Sequence, residues 1–189
     1  MKHAVDVPPF GELADPRVLA ELAAAAEERG WDGFFVWDHI VYRAPVRAVA
    51  DPWVALAAVA CATSRLRIGP LITPLSRRRV HKVARETVSL DLLSSGRLTL
   101  GVGIGSARNG EFEPFGEVAD PRQRARLLDQ GLDDLTRYWA GEFQPVRCSD
   151  RGSRCGWPRS GRTGGRCGGR CGGRACSPPA CQALRRLPS

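Results

Sequence analysis

Polar side chains suited to proton transfer follow an apolar run near the start of the chain. The run Gly33–Val36 (GFFV) leads into Trp37, and Asp38 and His39 come next. Imidazole titrates near neutral pH, so His39 could move a proton or hydrogen-bond a cofactor ring, while Asp38 could fix its tautomer. The same two residues could instead form an ordinary hydrogen-bonded loop pair. The sequence leaves both interpretations open.

A glycine-rich stretch, SSGRLTLGVGIGS, ends at Ser106. A dinucleotide-binding loop needs G-x-G-x-x-G at a strand-to-helix turn. Counting from Gly101 puts Ser106 in the last place, and counting from Gly103 puts Arg108 there, so the motif is absent. The apolar residues between the glycines predict a strand instead. The small residues at its end, Gly103, Gly105 and Ser106, leave room for a flat, bulky ligand.

Two further clusters of charge could take part in a site. The arginines at positions 77–79 could attract an anionic ligand, or they could be a solvated basic start of a helix. Glu111 and Glu113 lie in a predicted loop after the glycine-rich strand. Their separation along the chain does not fix their separation in space, so the sequence gives no support for an acid/base pair.

The elements that would position these residues alternate between strand and helix. Strands are predicted to begin near residues 3, 33, 67 and 97, and three Asp-Pro pairs predict helix starts, because aspartate caps a helix and proline suits its first position. Parallel strands joined by helices predict an α/β fold, either a barrel or a doubly wound sheet. A repeat of about 30 residues matches a TIM (β/α)8 barrel. Four units would make an incomplete barrel, about half of one.

Composition divides the chain into two parts, residues 1–146 and residues 147–189. The second part holds ten arginines, one acid and six of the seven cysteines, so it carries a formal charge of +9 while the first part carries −1. The tail has almost no residues able to form a core, and it is predicted to be disordered. The first part shows no secretory signal and no apolar stretch of ~20 residues, and its one cysteine, Cys61, predicts a reducing, cytoplasmic setting.

The Arg/Gly/Cys-rich tail admits three interpretations. The favoured one is an out-of-frame product of a G+C-rich gene, because the patterned sequence stops abruptly near residue 143. A zinc site is suggested by the spacing of Cys167 with Cys171 and of Cys176 with Cys181, but no histidine or hydrophobic core accompanies them. A nucleic-acid-binding arm would use charge alone, since aromatic residues for stacking are lacking.

Five stretches in order along residues 1–143 carry a family resemblance. They are GFFVWDH at 33–39, DPW at 51–53, TP at 73–74, RET at 85–87 with LDLLS at 90–94, and SGRLTLGVGIG at 95–105. Together they resemble the luciferase-like flavin- or coenzyme F420-dependent oxidoreductases. The resemblance implies a TIM barrel that binds FMN or F420 at its C-terminal face, usually as a dimer. It also implies hydride transfer to or from a small-molecule substrate or, with FMN and a separate flavin reductase, oxygen insertion.

The resemblance also implies roles for individual residues. Asp38 and His39 match an Asp-His pair beside the deazaflavin, where the histidine can act as a base. The segment from Pro70 to Thr73 matches a strand-three bulge, often with a cis non-proline bond, that supports the ring. The predicted catalytic residues are therefore His39 and Asp38. The predicted cofactor-binding residues are Trp37, Leu71, Ile72, Thr73, Gly103, Gly105 and Ser106.

Two departures from the family pattern limit the functional expectation. In F420-dependent sugar-phosphate dehydrogenases, a glutamate just after the strand-four glycines acts as an acid in the reaction. Here Ser106 occupies that place. The loops after late strands, which hold the cofactor phosphate in the family, are also missing. We expect a truncated oxidoreductase that is inactive or barely folded as written. The alternative is a nucleic-acid-associated protein that acts through its basic tail.

Overall fold

The computed structural model of this chain describes residues 1–142, so the tail predicted over residues 147–189 lies outside the described residues. The strands are β1 (Ala4–Val7), β2 (Gly33–Val36), β3 (Arg67–Pro70), β4 (Thr73–Pro74) and β5 (Val102–Gly103). The helices are α1 (Pro16–Glu28), α2 (Pro52–Ala62), α3 (Val80–Leu93) and α4 (Pro121–Arg137), which continues into a wider turn over Tyr138–Glu142. Strands and helices alternate as the sequence predicts, and the α/β class is confirmed.

The three Asp-Pro pairs begin helices α1, α2 and α4. The carboxylates of Asp15, Asp51 and Asp120 each accept a hydrogen bond from a backbone N–H two or three residues further on. The following proline stands at the first helical position, where its missing N–H costs no helical hydrogen bond. Helix α3 begins without a side-chain cap and follows a short 3₁₀ turn over Leu75–Arg77.

The main sheet is parallel, with strand order β1-β2-β3. Gly33 is in register with Ala4 on one side and with Arg67 on the other. Because all three strands run in the same direction, their carboxyl ends meet at one edge of the sheet. This edge carries the segments that contain the predicted site residues.

The predicted third strand is divided by the structure into β3 and β4. Leu71 and Ile72 separate the two, and β4 pairs with β5 rather than continuing the three-stranded sheet. The chain before β5 still runs beside β3, since Thr99 N donates to Ile68 O at 2.8 Å. The fourth predicted strand is therefore present as a path next to β3, but its regular pairing is confined to Val102–Gly103.

The hydrophobic core lies between the sheet and its helices. Helix α2 packs against both α1 and α3, and α3 packs against α4. The largest side chains with no solvent exposure in this core include Leu19, Phe34, Leu56, Val59, Leu66, Ile68 and Leu135. Within residues 1–142, no helix is both long enough and apolar enough to cross a bilayer.

Candidate functional site

A cavity of about 520 Å³ lies at the carboxyl ends of the strands. Its wall is formed by the segments after β2 and β3, by the last residues of β4 and β5, and by the loop that follows β5. The lining residues are Trp37, Asp38, His39, Leu71, Ile72, Pro74, Gly103, Ile104, Gly105, Ser106 and Glu111. Parallel α/β folds place ligand sites at this end of their strands, so the position agrees with a binding site.

One wall of the cavity is apolar and is formed by Leu71, Ile72 and Gly103. The peptide bond between Leu71 and Ile72 is cis, as the resemblance implies for this segment. The two side chains remain 45% and 36% exposed, so they offer apolar surface to the cavity. Gly103 faces them, and a Cβ atom there would lie 2.2 Å from Ile72 Cδ1. Glycine at position 103 therefore leaves free the space beside Ile72 that a side chain would occupy.

The glycine segment is held in place by buried polar side chains from neighbouring elements. Arg124 of α4 donates to Ile104 O at 3.1 Å and to Gly105 O at 2.8 Å. Ser76 Oγ donates to Ile104 O at 3.1 Å. These bonds satisfy carbonyl groups that have no ladder partner after β5 and fix the backbone of this wall.

His39 lies on the opposite side of the cavity, between aromatic rings and a carboxylate. Its ring centroid is 5.7 Å from that of Phe10, 5.9 Å from Trp37 and 5.3 Å from Tyr42. Its Nδ1 atom is 2.7 Å from Glu111 Oε2. Nε2 has no hydrogen-bond partner among residues 1–142. With the side chain 18% exposed, the imidazole has solvent access only on a limited part of its surface.

Two arginines and two carboxylates form a buried charge cluster beneath His39. Arg77 Nη2 donates to Asp38 O at 2.7 Å and to Asp38 Oδ1 at 3.2 Å, and it lies 3.3 Å from Glu111 Oε1. Arg78 Nη2 donates to Asp38 Oδ1 at 2.7 Å. The side chains of Arg77, Asp38 and Glu111 are at most 1% exposed. The cluster balances two positive charges against two negative ones.

Glu111 stays ionised in spite of its burial. Desolvation raises the pKa of Glu111, but the hydrogen bonds from His39 and from the backbone N–H of Ile40, together with the charge of Arg77, outweigh it and leave the pKa below its ordinary value. The carboxylate therefore remains an acceptor for all three neighbouring donors near neutral pH.

The structure brings most of the predicted site residues together. Eight of the nine line the cavity, and Thr73 is the exception. Thr73 is fully buried, and its backbone N–H donates to Gly101 O at 2.8 Å, so it aligns the strands beneath the wall. Ser106 lines the cavity rim, where its Oγ accepts from Arg108 N at 3.3 Å.

The sequence pointed to Glu111 only as a loop residue without support for an acid/base role, and neither interpretation of Arg77 and Arg78 from the sequence describes where they lie. Arg77 and Arg78 are neither a free anion site nor a solvated helix start, because both are committed to carboxylates, whereas Arg79 is exposed. The one signal in the sequence for this cluster is that residues of opposite charge, Asp38, Arg77 and Glu111, follow strands β2, β4 and β5. Phe10 and Tyr42, which pack on His39, lie in loops that show no periodic pattern in the sequence.

Comparison with known proteins places this geometry in a family. Residues 3–156 match the family model described as luciferase-like monooxygenase. The F420-dependent glucose-6-phosphate dehydrogenase of Gordonia bronchialis is 34% identical over 144 residues, covering 69% of this chain and 40% of that protein. The chain thus spans about 40% of the length of the curated relatives it matches.

Solved structures give the same result. An F420-dependent secondary alcohol dehydrogenase in complex with an F420-acetone adduct superposes with a TM-score of 0.64 at 26% identity, covering 74% of this chain and 42% of that one. The oxygenating constituent of 3,6-diketocamphane monooxygenase from Pseudomonas putida, in complex with FMN, shares the fold with a TM-score of 0.63 at 18% identity, covering 74% and 40%. The chain belongs to the luciferase-like monooxygenase family.

Proposed function

We propose that the cavity at the strand ends binds the flat ring system of F420 or FMN and that the protein is an oxidoreductase acting on a small-molecule substrate. The observation that carries this proposal is the position of His39 across the cavity from the apolar wall of Leu71, Ile72 and Gly103. The family supports it, and so do the relatives named for F420.

The residues present fit such a ring. Leu71 and Ile72 are partly exposed apolar side chains that line the cavity, and a planar aromatic group would cover them. Gly103 leaves space beside Ile72 for the ring, and any larger residue at position 103 would bring a Cβ atom that collides with Ile72. Trp37 completes the apolar lining beside His39, and its Nε1 is tied to Asp6 Oδ2 at 3.0 Å.

Each side chain has a definite role in this proposal. When bound, the F420 or FMN ring would supply the hydride acceptor or donor. His39 takes or returns the balancing proton of the substrate at Nε2. We place Asp38 below the reacting atoms as part of the charge cluster, because its side chain has no solvent exposure and its Oδ1 accepts from Arg77 and Arg78. The apolar wall orients the ring and keeps water away from it.

The full architecture is part of the proposal. We infer that β1 to β5 with their helices form the first half of a (β/α)8 barrel, about four units of it, because the family neighbours align with this chain over about two fifths of their own length. A separate flavin reductase would be a partner if FMN is the cofactor. The matching relatives named for F420 or FMN give no support to the alternative of a nucleic-acid-associated protein.

A homodimer is proposed for the face of α2 and α3. Val54 and Leu93 are 60% and 49% exposed, and both line a groove of about 460 Å³ between the two helices. A second copy would cover this apolar surface. Sedimentation of the full chain and of the Leu93→Glu variant tests it: a dimer that dissociates in the variant supports the proposal, and a monomeric parent protein overturns it.

The main experiment titrates the full-length chain with F420 and, separately, with FMN, following the ring absorbance and fluorescence. We expect saturable binding of one of the two at micromolar concentration. Gly103→Val should weaken this binding at least tenfold, because the valine side chain would collide with Ile72 and occupy space in the proposed ring site. Saturable binding of neither ring, or equal binding by Gly103→Val, refutes the proposal.

A matched pair of histidine variants tests the role of His39. His39→Gln should bind the ring but lose catalysed hydride transfer by about 100-fold or more. The control, His81→Gln, removes an exposed histidine on α3 and should behave as the parent protein. Equal turnover by both variants would exclude His39 as the proton-transfer group.

A further inference from the structure

Glu111 receives hydrogen bonds from three directions and gives none. Its Oε2 atom lies 2.7 Å from His39 Nδ1, and its Oε1 atom lies 2.8 Å from Ile40 N and 3.3 Å from Arg77 Nη2. The backbone N–H and the guanidinium can only donate. The carboxylate, held on one side by these two donors, presents Oε2 as an acceptor to the imidazole.

The charges around Glu111 favour a carboxylate over a protonated acid. Asp38 and Glu111 face Arg77 and Arg78 inside one buried cluster, and these four formal charges cancel. Since an ionised carboxylate has no proton to donate, the 2.7 Å contact requires the proton to sit on His39 Nδ1. In a neutral imidazole, Nε2 is then the atom with the free lone pair.

We propose that Glu111 is a positioning residue that holds His39 as the Nδ1–H tautomer and so keeps Nε2 as the proton acceptor facing the cavity. This inference rests on the proposed function of His39. Nothing in the sequence motif that surrounds His39 points to Glu111, which lies 72 residues further along the chain.

The neighbouring aromatic rings cannot perform this task. Phe10 and Tyr42 contact the imidazole through ring faces and edges, with centroids 5.7 and 5.3 Å away. Such contacts restrict the plane of the ring but do not distinguish one nitrogen from the other, because neither supplies a hydrogen bond to Nδ1. The rings fix where the imidazole lies, and Glu111 fixes which nitrogen carries the proton.

Glu111→Gln separates these two effects. The amide has one acceptor oxygen and one donor NH₂ in place of two acceptor oxygens. If its oxygen keeps the bonds from Ile40 and Arg77, its NH₂ faces His39 Nδ1 and requires that atom to be unprotonated. The variant keeps the volume and most of the bonds while favouring the opposite, Nε2–H tautomer.

The test is nitrogen NMR of the imidazole in the full-length chain without cofactor, at a pH where His39 is neutral. The signals are assigned by their loss in His39→Gln. The parent protein should show a protonated Nδ1 and a bare Nε2, and Glu111→Gln should show the reverse. Glu113→Gln, an exposed neighbour in the same loop, is the control and should match the parent.

The outcome in the parent protein is decisive even if Glu111→Gln does not fold. A protonated Nε2 in the parent protein overturns the proposal, and so does an unchanged tautomer in a folded Glu111→Gln. In the cofactor-loaded enzyme, Glu111→Gln should lower kcat by about 10- to 100-fold with little change in KM. Failure of the chain to bind F420 or FMN would remove the proposed function but would leave the tautomer result intact.

Discussion

Replacing Arg77 by methionine should destabilise the protein through the two carboxylates that it leaves behind. The Arg77 side chain is 1% exposed and is shared between Asp38 and Glu111, which are themselves at most 1% exposed. Methionine keeps an unbranched apolar stem but lacks the guanidinium. The change therefore removes the charge and its hydrogen bonds together with a small part of the packing.

The size of the effect follows from what remains. Removing one partner of a buried ion pair costs about 3–5 kcal/mol, because the other charge stays buried and uncompensated. Asp38 keeps its bond from Arg78, whose side chain is 17% exposed, and Glu111 keeps those from His39 and Ile40. We therefore expect the lower end of the range, a loss of about 3 kcal/mol in the free energy of unfolding.

Urea unfolding of the full chain at pH 7, followed by circular dichroism, measures this loss. The control is Arg79→Met, which removes the next but one arginine, an exposed residue at the start of α3 with no side-chain cap bond. It should change the free energy of unfolding by less than about 0.5 kcal/mol. If the two variants unfold at the same urea concentration, Arg77 contributes no more to stability than an exposed arginine does, which contradicts the expected role of the charge cluster.

The pH dependence gives a second check on the same variant. Arg77 helps to lower the pKa of folded Glu111, so the stabilisation it provides is complete above the ordinary glutamate pKa of 4.5 and is lost as the pH falls through the folded pKa. The difference in stability between the parent protein and Arg77→Met should therefore be largest near pH 7. It should shrink below about pH 4.5.

Three further changes test other parts of the fold by thermal and urea unfolding. Glu27→Gln should lower the free energy of unfolding by about 1–3 kcal/mol. Partial burial raises the pKa of Glu27, but hydrogen bonds from the backbone N–H groups of residues 64–66 outweigh burial and lower this pKa to about 2. The difference in stability between the parent protein and the variant should therefore be full above pH 4.5 and disappear towards pH 2. Gly69→Ala should cost at least about 3 kcal/mol, because its Cβ would lie 1.8 Å from the carbonyl oxygen of Thr99. Arg97→Met should cost about 2–3 kcal/mol, since Arg97 donates to carbonyl groups at the carboxyl end of α2.

Each of these has an outcome that contradicts it. Glu28→Gln, the exposed neighbour of Glu27, should be neutral, and an equal loss in both variants would assign the effect to general surface charge. A Gly69→Ala variant with unchanged melting temperature would show that the strands do not approach as closely as the structure has them. A neutral Arg97→Met would mean that water replaces its hydrogen bonds at no cost.

Local signals in the sequence predicted the elements of the fold accurately. Asp15, Asp51 and Asp120 each precede proline, and each begins a helix within one residue of the predicted start. These signals are local because a capping carboxylate reaches only two or three residues along the chain. Local signals could not predict that the third strand divides at Leu71 and Ile72, because this division depends on the pairing of β4 with residues about 30 positions away.

The charge cluster shows why the site was predicted only in part. Asp38, Arg77 and Glu111 come from three separate segments that are 39 and 34 residues apart along the chain, and each alone resembles a solvated surface charge. They meet because parallel strands end at the same edge, and no sequence pattern states which of many such charges are buried. The resemblance supplied His39, but the partner that holds its Nδ1 atom came from the structure.

Ser106 and Glu111 together determine where acid-base chemistry can reside in this part of the protein. Ser106 occupies the place where the resemblance puts an acidic glutamate in sugar-phosphate dehydrogenases, and its Oγ accepts from the backbone of Arg108. Glu111 is the nearest carboxylate along that loop, but it is buried, ionised and bonded to three donors, so it has no proton to give. Two basic atoms in the lining lack a hydrogen-bond partner among residues 1–142, His39 Nε2 and Asp38 Oδ2. Because the Asp38 side chain has no solvent exposure whereas that of His39 is 18% exposed, the proposed function assigns the proton chemistry of the cavity to His39.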